Sequence, residues 1–227
     1  MGLNRTTTLR RSLILGIADP VVLILSPSEA NGSTTTSDYS SYGNVVNFLG
    51  SAIVSNGQAK FGATSIRFDG TTASVRVNDR PEFTMPGDFT WEAWYYPTQF
   101  GTGAGGANRT LFSFTNSSFT SDKPMLIFGV SGELIYYTNT SVITTSPIAL
   151  NQWSFISVIR SSGQIKIFIN GVQSGSTFAN STTINPEAIK IGTSISTIGE
   201  LHGYLDDVRI TVGLARDGAV VPSLPFV

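Results

Sequence analysis

Apolar and polar residues alternate at every second position through much of this chain, and that period belongs to β-strands with one face buried. Ala73, Val75 and Val77 alternate with Ser74, Arg76 and Asn78. Phe89, Trp91, Ala93 and Tyr95 alternate with Thr90, Glu92, Trp94 and Tyr96, and Ile165, Ile167 and Ile169 with Lys166, Phe168 and Asn170. Val21–Leu25 adds a short run rich in β-branched residues. Turn chemistry separates the runs: Ser131-Gly132, Ser161-Ser162-Gly163, and Asn170-Gly171, which suits a type I′ hairpin. No long stretch repeats every 3.6 residues. Many short strands at this spacing predict an all-β sandwich or barrel with minimal helix.

Composition narrows the function. A chain of 227 residues can bury a full core without staples. Charged residues make up 13% and the net charge is −1, so no strong field draws nucleic acid or an anionic membrane. The absence of Cys excludes disulfides, thiolate–metal sites and a thiol nucleophile, and one His excludes a His-rich metal centre. No segment reaches the ~18 apolar residues of a membrane-spanning helix. Arg5, Arg10 and Arg11 followed by an apolar stretch imitate a secretory leader, but Asp19-Pro20 interrupts the apolar run.

The chain divides into an arm over 1–20, one domain over 21–217 and a short tail over 218–227, where Pro222 and Pro225 prevent a central strand. In the arm, Leu9, Leu13, Ile14 and Leu15 form an apolar set for a partner, and Arg10 and Arg11 meet its acidic groups.

Five segments in order carry a family resemblance: Ala30–Thr35 after the VVLIL strand; Lys60–Gly62 through Ser65–Gly70; Gly87–Trp94; Asn151–Trp153 with Ile159-Arg160 and Ile169–Val172; and Gly203–Ile210 closing with Gly213 and Ala215-Arg216. Together they resemble the laminin-G-like, concanavalin A-like family in the form common in bacteriophage virion proteins. The resemblance implies a jelly-roll sandwich of two antiparallel sheets behind the N-terminal arm. It implies a non-enzymatic structural protein on the virion surface, decorating the capsid or tail, in contact with other virion proteins and in homo-oligomers. The alternative it leaves open is a carbohydrate-binding module of a tail fibre or spike that recognises a host surface glycan.

Candidate site residues follow from the same comparison. In related sandwiches an acid on the final strand helps hold a structural calcium, which makes Asp206 a ligand and Asp69 its helper, since calcium takes six to eight oxygens. Ser26-Pro27-Ser28 stands where relatives carry an aromatic and an Asp. The competing reading is a turn or a simple ion pair: adjacent carboxylates on a strand point to opposite faces, and Asp207 shares a face with Arg209. Trp94, Tyr96 and Glu92 share a face and form the candidate sugar platform, against the alternative that such aromatics are core; Trp91 and Trp153 are expected in the core. Retaining or inverting hydrolysis needs two carboxylates ~5–10 Å apart. WEAW offers one, so Glu92 reads as a hydrogen-bonded carboxylate and the chain as no enzyme. His202 has no catalytic partner set and reads as a loop residue. The glycine-rich Gly101–Asn108 lacks the ending of a phosphate-binding P-loop.

Overall fold

β-Branched and aromatic residues pack well on a pleated, half-buried surface, and strands form where they alternate. The computed structural model describes residues 19–101, 108–194 and 199–226. In chain order the strands are β1 (Val21–Leu25), β2 (Val46–Leu49), β3 (Ile53–Ser55), β4 (Ser65–Asp69), β5 (Ser74–Asn78), β6 (Phe89–Pro97), β7 (Arg109–Ser113), β8 (Met125–Phe128), β9 (Glu133–Tyr137) and β10 (Ser141–Pro147). They continue as β11 (Ser154–Ser161), β12 (Gln164–Ile169), β13 (Val172–Gln173), β14 (Phe178–Ala179), β15 (Ala188–Ile191) and β16 (His202–Val212). Among the described residues the one helical element is a 3-10 turn, Pro81–Phe83.

Two antiparallel sheets face each other. The larger has nine strands, ordered β13-β12-β11-β6-β16-β4-β3, with β1 on β16 and β14 on β12. The smaller has seven, ordered β10-β9-β8-β7-β15-β5-β2. This is the jelly-roll sandwich that the alternation and the five segments lead one to expect. The hairpin at Asn170-Gly171 joins β12 to β13 with φ of 50° and 81°, the two positive values a type I′ turn requires.

The core lies between the sheets. Phe89, Trp91, Ala93 and Tyr95 of β6 turn into it. Trp91 stacks on Phe89 at 4.4 Å and reaches Tyr136 of the opposite sheet at 6.1 Å. Its indole N–H points to the Met85 sulfur at 3.2 Å. Tyr95 donates its hydroxyl to the His202 carbonyl, which satisfies a polar tip inside the core.

Candidate functional site on the outer face of the larger sheet

The other half of the β6 alternation points away from the core, and the register of the neighbouring strands builds a face around it. Thr90 lies beside Ile159, which lies beside Lys166; Glu92 lies beside Ser157, which lies beside Phe168; Trp94 lies beside Phe155. On the opposite flank Tyr204 sits by Tyr96, Asp206 by Trp94 and Arg209 by Glu92.

The chain after β16 roofs much of this face. Gly213 N–H binds the Asp88 carbonyl, the Thr90 hydroxyl donates to the Leu214 carbonyl, and Arg216 N–H donates to the Thr90 hydroxyl. At its far end Phe226 packs into a second apolar cluster with Trp94 and Phe155, flanked by Ile24, Phe61 and Trp153. The Arg209 guanidinium lies 3.8 Å from the Phe226 ring, and the Lys60 ammonium 3.8 Å from the Trp94 ring.

The expected sugar residues do share one face, but the roof covers two of them. Trp94 is 4% exposed, with its indole N–H unpartnered, and Glu92 is also 4% exposed. Arg209 binds both Glu92 oxygens, at 2.7 and 2.9 Å, and Arg216 approaches at 3.7 Å. Tyr96 is half-buried between Trp153 and Tyr204. With the roof in place neither Trp94 nor Glu92 offers a surface to a ligand. Trp153 belongs to this outer cluster rather than to the main core.

The acidic pair is arranged differently from the expectation. A β-bulge interrupts the β16–β6 register between Asp206 and Arg209, and Asp207 takes φ of 47° there. The bulge breaks strict alternation, so Asp207 reaches the Phe226 N–H at 3.1 Å, while Arg209 pairs with Glu92 instead. Asp206 accepts N–H bonds from Lys60 at 2.9 Å, Phe61 at 3.2 Å and Asp207 at 2.9 Å. Burial pushes the Asp206 carboxyl up to about 7 and also raises Asp207.

Asp69 does not join them. It lies opposite His202, four residues along β16 from Asp206, or roughly 13 Å at about 3.3 Å per residue. There it closes the β4–β5 turn, accepting N–H bonds from Thr71, Thr72 and Ala73, each at 3.0 Å, and hydroxyl bonds from Thr71 and Ser51. The oxygens a calcium would need face N–H donors instead. Among the described residues no group of three or more acids or histidines is placed to hold a metal. The Asp206–Asp69 calcium pair is therefore not assembled. His202 opens β16 rather than lying in a loop, and its Nδ1 meets the Thr98 hydroxyl at 2.5 Å. Leu9, Arg10, Arg11, Leu13, Ile14 and Leu15 lie outside the described residues.

Where the roof lifts from β11 and β12, a groove of about 480 Å³ remains. Ile159 and Phe168 give it an apolar floor; Gln164, Lys166, Arg216 and Asp217 give it polar walls. A Cβ at Gly218 would overlap the Phe168 ring, so only a glycine lets the roof sit this close to the floor.

The family profile of the concanavalin A-like lectin/glucanases superfamily matches residues 69–213. The chain belongs to this superfamily. Comparison with curated proteins finds no match. Among solved structures, this superfamily member is similar to domain 4 of AbnA, a GH43 extracellular arabinanase from Geobacillus stearothermophilus in complex with arabinotriose. That match has 17% identity, a TM-score of 0.64, and covers 88% of this chain and 95% of that domain. It is also similar to the binding domain of Paraclostridial Mosquitocidal Protein 1 (16% identity, TM-score 0.66, covering 88% of this chain and 50% of that one). A third is botulinum neurotoxin type C, whose cell entry depends on interaction with two ganglioside molecules (16% identity, TM-score 0.62, covering 88% of this chain and 49% of that one). The chain thus spans about half the length of the toxin chains it matches. These likenesses concern the fold.

Of the groove-lining residues of this superfamily member, Ile159, Ala215 and Arg216 fall in the motif segments, while Gln164, Lys166 and Phe168 belong to no motif. Their signal is the alternation itself: if Ile165 and Ile167 are buried, Gln164, Lys166 and Phe168 must share the opposite face. Nothing local in the sequence brings Arg216, Asp217 and Gly218 over that face.

Proposed function

We propose that the chain is a non-catalytic carbohydrate-binding module whose site is the groove over β11 and β12. The observation that carries this reading is an aromatic and aliphatic floor bordered by hydrogen-bonding side chains, the composition a sugar ring demands with its apolar faces and hydroxyl rim. A superfamily domain of nearly the same extent in complex with arabinotriose supports it. Binding is favoured over hydrolysis because the acids on this face are engaged: Glu92 by Arg209, and Asp206 by three N–H groups. The test is a glycan array with Phe168→Ala as control. The expected result is a restricted set of glycans whose signal falls about tenfold or more in the variant, as loss of a stacking floor predicts. A blank array for the unaltered chain overturns the reading.

We place this module on the surface of a phage particle, among other virion proteins and in homo-oligomers, with host glycans as its ligands. The five-segment resemblance supports this placement, and so does the way the arm enters the sandwich. The Pro20 carbonyl accepts the Val212 N–H at 2.7 Å, Asp19 accepts the Val21 N–H at 3.0 Å, and Tyr42 donates to the Asp19 carbonyl at 3.2 Å. An arm held so firmly at its root can transmit an anchoring force to the sheet. Deleting residues 1–18 is expected to abolish attachment to particles and leave the β-sheet circular dichroism unchanged. Attachment by the truncated chain would remove the anchor.

A further inference from the structure

We propose that the groove selects carboxylate-bearing saccharides, uronates above all, and that Lys166 and Arg216 are the residues that read the charge. This inference rests on the carbohydrate-binding reading above and names its ligand class.

The argument is one of charge left over. Glu92 is flanked by two guanidinium groups, and Arg209 takes both its oxygens in a fork at 2.7 and 2.9 Å. Arg216 is left with the weaker approach at 3.7 Å. Its Nε donates to the Thr211 hydroxyl at 3.2 Å, and its Nη atoms make no hydrogen bond among the described residues. Asp19 acts on Arg216 as well, but neither it nor Glu92 lines the groove, so the wall there presents a cation. Lys166 adds a second cation from the floor strand and has no ion-pair partner among the described residues. The only acid in the lining is Asp217, and one of its oxygens already caps the Ala219 N–H at 2.9 Å.

The geometry also fixes how each cation is held. Arg216 is pinned by its own N–H to Thr90 and by its Nε to Thr211, so its planar fork is held at two points while its side chain lines the groove. Such a fork suits the two oxygens of a carboxylate. Lys166 supplies a mobile point charge. Glu92 acts here as a positioning residue that keeps the two guanidinium groups on the sheet despite their mutual repulsion.

The test uses the full chain in calorimetric titration with trigalacturonate, and with maltotriose and arabinotriose as neutral probes of equal length. Trigalacturonate is expected to bind about tenfold or more tightly than either neutral probe, a difference that shrinks as salt rises. Lys166→Gln should remove most of that preference, weakening trigalacturonate binding far more than binding of either neutral probe. Arg216→Gln should do the same; thermal unfolding reports whether it also frees the roof, and Lys166→Gln carries the test if it does. Equal binding of charged and neutral probes overturns the charge selection and leaves the carbohydrate reading standing. Trigalacturonate binding that survives both substitutions overturns the assignment of these cations. Failure of all three probes, with a blank glycan array, overturns both.

Discussion

Arg160→Ala is expected to destabilise the sandwich by about 3 kcal/mol, the scale for losing hydrogen bonds from a charged group and leaving a cavity in its place. Arg160 is 1% exposed and pairs with no carboxylate. Its guanidinium donates instead to backbone carbonyls: Nε to Gly87 at 2.6 Å, Nη1 to Thr182 at 2.6 Å, and Nη2 to Met85 at 2.6 Å and also to Gly87. The plane lies 4.8 Å from the Phe89 ring. One side chain on β11 thereby ties the segment before β6 to the segment before β15. Alanine removes the donors and leaves a cavity; the Met85 carbonyl keeps its Ile184 N–H, while those of Gly87 and Thr182 lose the guanidinium. Arg160→Lys keeps a charge but has neither the fork nor the reach, and about half the loss is expected. Denaturant unfolding at unchanged m measures both. A loss below about 1 kcal/mol for alanine would mean that water replaces the guanidinium at no cost.

The sequence makes Arg160 visible as a motif residue and says nothing of its carbonyl partners, because those come from loops whose courses are set by tertiary packing. The same boundary runs through the whole molecule. Strand positions are legible wherever a local period or turn dictates them: Phe89–Tyr96, Ile165–Ile169 and the hairpin at Asn170-Gly171 lie where alternation and positive-φ chemistry put them. The face shared by Glu92, Trp94 and Tyr96 is legible for the same reason. Its cover is not. Phe226 lies in a stretch with two prolines and no period, and only the docked tail shows that it closes over Trp94. The Asp206–Asp207 arrangement escapes sequence reasoning because a bulge cancels the period-2 rule where the two acids are adjacent.

That bulge leads to a pH dependence of unusual sign. Burial pushes the Asp206 carboxyl up to about 7, with the neighbouring Asp207 adding repulsion, against the opposing N–H bonds from Phe61 and Lys60. Asp207 is raised for the same reason, opposed by Ser26, the Phe226 N–H and Arg209. Both groups bind a proton more tightly in the folded chain than in the unfolded one, where the value is near 3.8. The Asp206 contribution is most favourable below that value and is lost as pH rises from about 4 to about 7, by about 1.4 kcal/mol per pH unit for each full proton, and Asp207 acts in the same direction. His202 works in the opposite direction: burial, then Arg109, lower it, so its contribution is lost as pH falls below its ordinary 6.5. Because His202 opposes, the informative quantity is a difference between variants. Asp206→Ala should reduce the fall in stability between pH 5 and pH 7 by roughly 2 kcal/mol, read as a Tm change about 4–8 °C smaller across that interval than in the unaltered chain. The baseline drops as well, since alanine strips the Lys60 and Phe61 N–H groups of their acceptor, but a baseline shift leaves the slope comparison intact. Equal slopes in the two proteins would mean that the three N–H donors outweigh burial and hold Asp206 ionised like an ordinary surface carboxylate.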